Sequence, residues 1–543
     1  MKRILSFAMM LYLAIPSHLF AASVSYDVVP LPNRIVLKNG ESFTADASTR
    51  VGYPAGNVEM KRNAEFLRDY LRDAVGISFI LDSKAKNGAI RLVLDKKING
   101  DEAYTLTVNK KGIVVAGRTP RGVFYGIQTL RKSVSVGKTT QLTFPAVEIA
   151  DAPRFCYRGM MLDCSRHFFP ISFVKKYIDI IAMHNMNTFH WHLSDDQGWR
   201  IEIKKYPKLT EIGSKRTGTV LGFNSMADDS TEYGGFYTQE EAREIVRYAA
   251  ERFITVIPEI DMPGHMKAAL TAYPELGCTG GPYEVGHKWG VYLDVLCLGN
   301  DKVYKFCEDV LDEIMQIFPA KYIHIGGDET PTVRWEKCPK CQRVMKQHNL
   351  KPKTAQGYFT NRIEKYVLSK GHSIIGWDEI LDGDIDKSAT IMSWRGTGDA
   401  GLKATENGHD IIMSPTSCCY FNFCQSKNGP MHEPTWCDGF IDTEKVYNFE
   451  PCPDSLSARA KSRILGVQAN LWTEYITCPE VVEYMLLPRM AALADVQWST
   501  GMKDFAAFRK RLDRFTSFYD LYYLNYAKHL WPEKMVSPWK DIE

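Results

Sequence analysis

The sequence predicts an α/β protein in which a (β/α)8 TIM barrel follows a small α+β domain. From Arg154 onward, short apolar strands alternate with helical patterns, as expected of βα units around a parallel sheet. Eight candidate strands can be counted, and polar or aromatic side chains stand at their ends. A barrel of this kind places its active site at the C-terminal ends of its strands. The competing fold, an open doubly wound sheet, would need a glycine-rich phosphate turn after the first strand, and the sequence has none there.

Length and composition indicate a folded protein with more than one domain. A chain of 543 residues is too long for one ordinary core. Its hydrophobic share of 45% and charged share of 24% are typical of globular proteins. The formal net charge is +3 and there is no long basic run, which argues against nucleic acid as a partner. We divide the chain into residues 1–22, 23–152 and 153–543, with Asp151-Ala152-Pro153 at the second boundary.

Residues 1–22 have the pattern of a secretory signal peptide. Lys2 and Arg3 give a basic start, residues 4–15 are apolar, and Phe20-Ala21-Ala22 forms a small-residue end. The alternative is a buried N-terminal helix. The apolar stretch is too short to span a membrane, and no other segment is long and apolar enough. The sequence therefore predicts an exported protein, periplasmic or extracellular, without a transmembrane segment.

Two patterns raise the question of a metal. The chain has 13 cysteines, an odd number, so at least one thiol is unpaired in the monomer; Cys338 and Cys341 form a lone CxxC. Zinc would need two further ligands, and no second CxxC appears, so a local disulfide or free thiols are favoured. His190 and His192 form a His-x-His pair, but strand histidines more often bind neighbouring side chains than a metal. We expect no metal and no cofactor.

The residues between the signal and the barrel predict a small accessory domain, because they lack any cluster of acids, histidines or nucleophiles. Helical spacing is found from Lys61 to Val75, with Gly76 as its end, and again from Arg121 to Val134. The predicted strands are 89–94, 104–108 and 112–115, the last two joined by a hairpin-length loop.

The barrel elements follow in order after residue 153. The predicted strands end near Asp163, Asp195, Asp261, Glu329, Glu379, Arg395, Tyr420 and Glu474. Helical patterns lie between them at residues 172–184, 239–252, 301–317 and 354–370. A terminal helix is expected from Lys503 to about Tyr526.

The stretch from residue 322 to 329, YIHIGGDE, combines a strand with two acids. Its apolar start predicts a short strand, and two glycines let the backbone turn where side chains would crowd a ligand. Asp328 and Glu329 follow. Neighbouring side chains on an extended chain point to opposite sides, so these two carboxylates can hold different roles. Taken alone, the pair would be interpreted as an exposed acidic turn.

The full string His-x-Gly-Gly-Asp-Glu is more specific, and it resembles the signature of the family 20 glycoside hydrolases, the β-N-acetylhexosaminidases. The segments RGMMLDCSRHF (158–168), HWHLSDDQGWR (190–200) and EIDMPGH (259–265) fit the same resemblance. It covers nearly the whole mature chain, and residues 23–152 resemble the family's non-catalytic N-terminal domain.

The resemblance implies a division of labour among four catalytic residues. Glu329 would protonate the leaving glycosidic oxygen, and Asp328 would hold the substrate's acetamido N–H. Asp195 would support His265, which in turn supports Glu329. The substrate's own acetamido oxygen would attack C1 and give an oxazolinium ion, as in the substrate-assisted exceptions among retaining glycosidases.

The resemblance also implies the substrate contacts. Arg158 would bind the hydroxyls at C3 and C4, since a guanidinium fork suits two neighbouring hydroxyls; from the residues alone, a buried ion pair with Asp163 is the alternative. Glu474 would accept from the hydroxyls at C4 and C6. Asn422 stands where the family often has aspartate, which could relax selection at C6 or admit an acidic substituent there.

Aromatic residues at the strand ends are expected to bind the sugar. Trp377, Trp394 and Trp472 each end a predicted strand, and aromatic walls pack well on the apolar C–H faces of sugars. By resemblance these tryptophans surround the acetamido methyl, and Tyr420 donates to the acetamido carbonyl. Core packing is the alternative for any one of them.

The sequence thus predicts an exo-acting retaining β-N-acetylhexosaminidase that releases terminal N-acetylglucosamine or N-acetylgalactosamine. The expected partner is a glycan with a terminal N-acetylhexosamine, and a homodimer is allowed. The alternatives are a carbohydrate-binding barrel of weak activity, a family member that releases a disaccharide or a sulfated hexosamine, and a secreted structural protein. The presence of Glu329 argues against the first, and the convergent acids argue against the last.

Overall fold

The structure, a computed structural model, describes residues 22–222, 225, 227–426, 433 and 439–534. Nearly all of the predicted signal peptide, residues 1–21, lies outside this part of the chain. Within it, no helix has the length and hydropathy needed to cross a membrane.

The N-terminal domain is a seven-stranded sheet with two helices. In chain order its elements are β1 (Arg34–Leu37), β2 (Phe43–Asp46), β3 (Arg50–Gly52), α1 (Val58–Val75), β4 (Ile80–Leu81), β5 (Ala89–Leu94), β6 (Tyr104–Asn109), β7 (Gly112–Gly117), α2 (Pro120–Ser133), β8 (Gln141–Phe144) and β9 (Val147–Asp151). The sheet order is β1-β9-β6-β7-β5-β3-β4, and β2 pairs separately with β8. The expected hairpin is present as antiparallel β6 and β7. Asn57 caps the start of α1, and Gly76, with φ of 83°, ends it.

The rest of the described chain forms the barrel and its surrounding helices. In chain order the elements are β10 (Tyr157–Asp163), α3 (Ile171–Met183), β11 (Thr188–His192), β12 (Ser194–Asp195), β13 (Gly198–Trp199), α4 (Lys208–Glu211), β14 (Lys215–Arg216), β15 (Tyr233–Gly234), α5 (Gln239–Ala250), β16 (Thr255–Glu259), α6 (Lys267–Ala272), α7 (Asp301–Ile317), β17 (Tyr322–His324), α8 (Val333–Lys337), α9 (Pro339–Gln347), α10 (Ala355–Ser369), β18 (Ser373–Trp377), β19 (Thr390–Ser393), α11 (Asp399–Glu406), β20 (Ile411–Met413), α12 (Thr416–Cys419), α13 (Thr443–Asn448), α14 (Ala458–Lys461), β21 (Ile464–Ala469), α15 (Pro479–Leu486), α16 (Arg489–Trp498) and α17 (Phe505–Leu521). Short 3-10 turns lie at Pro274–Leu276, Pro352–Thr354, Asp378–Asp382 and Pro532–Lys534.

Eight parallel strands close into a barrel, which confirms the predicted fold. Their order is β10-β11-β16-β17-β18-β19-β20-β21, the same as their order in the chain, and β21 pairs with β10 to close the ring. Strands such as β10 and β11 are buried along their whole length. Helices cover the outside of a parallel barrel and side chains fill the inside, so its strands are apolar runs rather than alternating patterns.

The N-terminal domain packs against the end of the barrel where the strands begin. Lys132 on α2 donates to the Met183 carbonyl at 3.2 Å and to Asn185 Oδ1 at 2.9 Å. Trp498 Nε1 on α16 donates to Asp151 Oδ2 at 2.9 Å. The opposite end of the barrel, where the strands finish, is left open to a ligand.

Candidate active site

A pocket of about 270 Å³ opens at the C-terminal ends of the barrel strands. Its walls combine aromatic rings with carboxylates and one guanidinium. The lining residues are Arg166, Asp328, Glu329, Trp377, Trp394, Thr416, Tyr420, Asn422, Phe423, Trp472 and Glu474. The volume suits one small ligand unit, and the mixture of apolar surface with a few convergent polar groups is typical of ligand sites.

The two glycines after β17 shape the loop that carries the acids. Gly326 and Gly327 have φ of 65° and 94°, conformations that favour glycine. A side chain at Gly326 would also collide, because its Cβ would lie 1.8 Å from Asp261 Oδ1. The same Asp261 oxygen accepts from the Gly327 N–H at 3.0 Å. The sequence therefore needs both glycines to bring this loop against the end of β16.

The backbone at the acids is not extended, which corrects one premise of the sequence analysis. The strand β17 ends at His324, and Glu329 has φ of 45°, an uncommon value for a residue with a side chain. Asp328 and Glu329 consequently line the same pocket instead of pointing to opposite sides. They differ in exposure: the Asp328 side chain is 14% exposed and that of Glu329 is 42% exposed. Strained backbone of this kind is concentrated at functional sites.

His265 lies directly behind the two acids. Its Nδ1 is 3.1 Å from Asp195 Oδ1 and 3.0 Å from Asp196 Oδ2, so two carboxylates share this ring nitrogen. Its Nε2 lies 3.4 Å from Asp328 Oδ2 and 3.6 Å from Glu329 Oε2. Like Glu329, His265 has a positive φ, of 49°. The structure therefore brings together Asp195, His265 and Glu329, as the sequence analysis expected.

The charges around His265 shift several pKa values. Burial alone lowers the pKa of His265, but the carboxylates of Asp195 and Asp328 outweigh it and raise that pKa well above its ordinary value. Burial raises the pKa of Asp328, and the charge of His265 opposes this rise. Asp261 has its pKa raised well above the usual range by burial and by the neighbouring Asp328. The carboxylates around His265 therefore favour its protonated form.

Beneath the pocket, Glu259 is the centre of a buried polar network. His192 Nδ1 donates to it at 2.6 Å and Trp377 Nε1 at 2.8 Å. His190 Nε2 and His324 Nδ1 lie 2.9 and 3.1 Å from its oxygens. His190, Glu259 and His324 are close enough together to hold a metal ion, as are two sets of carboxylates around His265. The contacts to Glu259 account for the burial of the His-x-His pair and orient Trp377 in the lining of the pocket.

Four aromatic side chains form one wall of the pocket. The ring centroids of Trp377 and Trp472 are 5.7 Å apart, and those of Trp394 and Tyr420 are 5.9 Å apart and stacked. Trp394 Nε1 donates to Glu379 Oε2 at 2.7 Å, which holds the half-buried indole in place. The aromatic residues predicted from the strand ends are therefore gathered in one place.

The chain matches one protein family over most of its length. A family described as the glycosyl hydrolase family 20 catalytic domain matches residues 155–501, and domain 2 of the same family matches residues 25–152. This chain belongs to glycosyl hydrolase family 20. The resemblance stated from the motifs is confirmed.

Relatives and solved structures of family 20 are similar over most of the chain. A β-hexosaminidase of Porphyromonas gingivalis is 43% identical over 512 residues, which cover 92% of this chain and 64% of that protein. A β-hexosaminidase of Vibrio furnissii is 39% identical, over 87% of this chain and 76% of that protein. The structure of an exo β-N-acetylglucosaminidase from Vibrio harveyi in complex with N-acetylglucosamine matches with a TM-score of 0.82 at 32% identity, covering 94% of this chain and 79% of that one. A β-N-acetylhexosaminidase from Bacteroides fragilis matches with a TM-score of 0.77 at 31% identity, covering 92% and 96%.

Arg158 is the one predicted substrate contact that the structure places elsewhere. It lies near the start of β10, fully buried, at the opposite end of the barrel from the pocket. Its guanidinium forms a bidentate pair with Glu102 at 2.8 and 3.0 Å, and it also donates to Tyr125 OH and to the carbonyls of Phe155 and Asn185. All five N–H donors are therefore used within the protein. Arg158 joins the two domains of this family 20 chain, and the buried pair is with Glu102 instead of Asp163.

Arg166 occupies the place that was assigned to Arg158. It follows the C-terminal end of β10, lines the pocket, and pairs with Asp195 Oδ2 at 2.7 Å and Asp163 Oδ2 at 3.3 Å. Its guanidinium also lies over the Trp472 ring, 5.1 Å from the centroid. A signal for this choice was present in the sequence, because Arg166 comes after the predicted strand end at Asp163, where a barrel places its site.

Three other residues lie in the pocket lining or directly behind it. Glu474 and Asn422 line the pocket as expected, and Asn422 Oδ1 is buried with no hydrogen-bond partner among the described residues. Glu379 was noted only as the end of a strand. Burial and the nearby charge of Asp328 raise the pKa of Glu379 to about 8, so it is largely protonated at neutral pH. Its position in the chain, two residues after Trp377, gave no sign of this raised pKa.

Proposed function

We propose that this chain is an exo-acting, retaining β-N-acetylhexosaminidase that removes terminal β-linked N-acetylglucosamine or N-acetylgalactosamine from glycans. The observation that carries the proposal is the pocket itself. It holds one small ligand unit and places two adjacent carboxylates among aromatic rings. The named β-hexosaminidases among the relatives support the same activity.

Glu329 is the proposed acid and base. It is the more exposed of the two carboxylates, so it can reach the glycosidic oxygen that faces the mouth of the pocket. In the first step it gives its proton to the leaving oxygen as the bond from C1 to that oxygen breaks. In the second step it accepts a proton from the water that attacks C1, and the acid is restored.

Asp328 is proposed to act on the substrate's acetamido group, which is the nucleophile. The acetamido oxygen attacks C1, and the positive charge that develops on nitrogen is stabilised by the Asp328 carboxylate. Water then opens the oxazolinium ion and the configuration is retained. Asp328 suits this role because it is more buried than Glu329 and its charge is balanced by His265 at 3.4 Å.

The remaining pocket residues are proposed to recognise the sugar. Trp377, Trp394 and Trp472 would pack around the acetamido methyl, with the Tyr420 hydroxyl donating to its carbonyl. The Arg166 guanidinium and the Glu474 carboxylate would bind ring hydroxyls on the other side of the pocket. Asn422, with a free acceptor, would contact the substituent at C6.

The test of the activity is hydrolysis of a chromogenic N-acetyl-β-glucosaminide, compared with the galactosaminide and with the glucoside that has a plain hydroxyl at C2. We expect cleavage of the first two and very little of the third. Equal cleavage of the glucoside would contradict the mechanism. Product analysis on defined glycans, including one sulfated at C6, would then give the sugar and linkage.

The nucleophile can be tested directly by trapping. A 2-deoxy-2-fluoro glycoside lacks the acetamide, so the wild-type enzyme should form no covalent sugar adduct with it. Mass spectrometry that finds such an adduct on a carboxylate, Glu474 for example, would show an enzyme nucleophile and overturn the proposed mechanism. Binding offers a second test of the same mechanism. A stable thiazoline mimic of the oxazolinium should bind to the wild-type enzyme more tightly than the product does. Asp328→Asn should remove that preference.

We also propose that the protein is exported with the mature chain beginning near Ala22 or Ser23, as residues 1–22 predict. Sequencing the N-terminus of protein from the native host would test this. An intact Met1 on cytoplasmic material would contradict it.

A further inference from the structure

Four cysteines that are scattered in the sequence meet in the structure, outside the pocket. Cys278 and Cys297 lie in the long segment between β16 and α7, whereas Cys338 and Cys341 flank the start of α9. Their sulfur atoms all lie within 4.8 Å of one another. Three of the four are buried and Cys278 is half-buried. The cluster is therefore enclosed, with one side near the surface.

The distances between the sulfurs fit a tetrahedron around one metal ion. Cys278 and Cys341 are 3.6 Å apart, Cys297 and Cys341 3.5 Å, and Cys297 and Cys338 3.8 Å. Four thiolates around zinc, at Zn–S distances of about 2.3 Å, would be separated by about 3.8 Å. A disulfide needs about 2.05 Å between its two sulfurs. The cluster is thus arranged for a shared central ion, and it supplies the two ligands that the lone CxxC lacked.

The backbone around the cluster is built to bring the two segments together. Gly299 lies so close to α9 that a Cβ there would be 2.2 Å from the Lys340 carbonyl carbon and 2.6 Å from the Cys341 nitrogen. Cys338 is the N-cap of α9, Pro339 follows it, and the helix has no side-chain cap. The partial positive charge of a helix N-terminus favours thiolates at this position.

We propose that Cys278, Cys297, Cys338 and Cys341 form a structural zinc site. Binding of Zn²⁺ releases the four thiol protons and leaves a closed tetrathiolate centre with no open coordination position, so it would have no catalytic role. Tetrahedral sets of four thiolates are typical of zinc and, less often, of iron. This proposal replaces the expectation of no metal: the sequence has one CxxC, and Cys278 and Cys297 stand far from it in the chain.

The site would hold in place the two loops that carry the catalytic residues. The Leu296 N–H, next to Cys297, donates to the Pro263 carbonyl at 3.0 Å, two residues before His265. The Leu296 carbonyl accepts from Trp335 Nε1 at 2.9 Å, on the segment that follows Asp328 and Glu329. A zinc ion would therefore fasten the loop of His265 to the loop of the two acids.

The first experiment is elemental analysis of the full chain, purified without a metal-binding tag and without chelators. We expect one zinc per chain. Cobalt substituted for zinc should give the intense visible absorption of a tetrahedral cobalt thiolate. Reduced protein that takes up no zinc, or iron in place of zinc, would overturn the assignment. So would an intact mass, measured without reduction, together with peptide mapping, that shows two disulfides among these four cysteines.

The second experiment uses variants. Cys278→Ser changes the ligand that is nearest the surface, and so disturbs core packing least; Cys341→Ser changes a central one. Both should lose most of the zinc and melt at a lower temperature. Cys307→Ala is the matched control, because it removes a fully buried thiol of α7 outside the cluster and should retain the full zinc content. Full zinc in both serine variants, or equal loss in the control, would contradict the proposed ligands.

Discussion

Arg158 and Arg166 are both buried arginines, and they lie near opposite ends of the first barrel strand, β10. Arg158, near the start, uses every donor on acceptors within the protein and joins the two domains. Arg166, after the end, is held by Asp163 and Asp195 at the wall of the pocket. Residue type and burial do not distinguish them. Position along the strand does, because only the C-terminal ends of barrel strands meet at the site.

The two ends of the barrel differ in the same way as the two arginines. At the N-terminal end, charged groups such as Glu102 and Lys132 are matched by partners across the domain interface. At the C-terminal end, His265 and Glu329 have strained backbones, and the buried oxygen Asn422 Oδ1 has no partner in the part of the chain described. Strained backbone also occurs at the N-terminal end, where Asn185 before β11 has φ of 58°, but at the C-terminal end it falls on residues in or behind the pocket, as is common at functional sites.

The largest effect is expected from Glu329→Gln, at the C-terminal end. The variant cannot protonate a leaving sugar oxygen, so activity on natural glycans should fall by about 10²–10⁴-fold. Aryl glycosides with good leaving groups need no proton and should lose much less in the first step. Steady-state rates on both substrate types test this, with melting temperature as the control for folding. An equal loss on both types would contradict the role of Glu329 as acid.

The matched pair Arg166→Lys and Arg158→Lys tests the comparison itself. Arg166→Lys keeps a positive charge beside Asp195 but loses the planar fork, so kcat/KM should fall by about tenfold or more while the melting temperature changes little. Arg158→Lys leaves buried acceptors at the domain interface unpaired. It should lower the melting temperature while activity per folded molecule is kept. The reverse pattern would show that the two ends of β10 had been assigned wrongly.

Replacing tryptophans in the aromatic wall should separate binding from packing. Trp394 is half-buried, whereas Trp377 is 1% exposed and donates to Glu259. Trp394→Ala should therefore reduce activity with a small change in stability, but Trp377→Ala should also destabilise the fold by about 3–5 kcal/mol. Trp394→Phe is the control, since it keeps an aromatic ring in the wall but removes the indole N–H that donates to Glu379. A melting temperature that falls in step with activity in Trp394→Ala would favour core packing.

The raised pKa of Glu379 should make the stability of the protein depend on pH. Its pKa is raised from 4.5 to about 8 in the folded protein. Between these values the folded state keeps a proton that the unfolded chain has released, so the contribution of Glu379 to stability is lost as pH rises through this range. Glu379→Gln should flatten this decline in melting temperature. Glu284→Gln, at an exposed position, is the control; parallel curves for wild type and Glu379→Gln would contradict the assignment.

Local patterns in the sequence determined the fold and most of the site. Helices such as Asp301–Ile317 follow from apolar spacing, and the eight barrel strands follow from short apolar runs with polar ends. Gly326 and Gly327 predicted a turn, and their positive φ angles would strain the backbone of any residue with a side chain. These features are encoded within a few neighbouring residues, so they can be recognised without knowledge of distant contacts.

Tertiary structure decided what depended on distant partners. Whether Arg158 faces a sugar or Glu102 depends on a residue 56 positions away in another domain. The pKa of Glu379 depends on how deeply it is buried and on Asp328, which belongs to the preceding βα unit. The four clustered cysteines are separated by up to 63 residues, and no spacing rule joins them. Burial, electrostatic interaction and metal-ligand geometry act between atoms that folding brings together, so the sequence supplied these groups but only the folded chain gave them their partners.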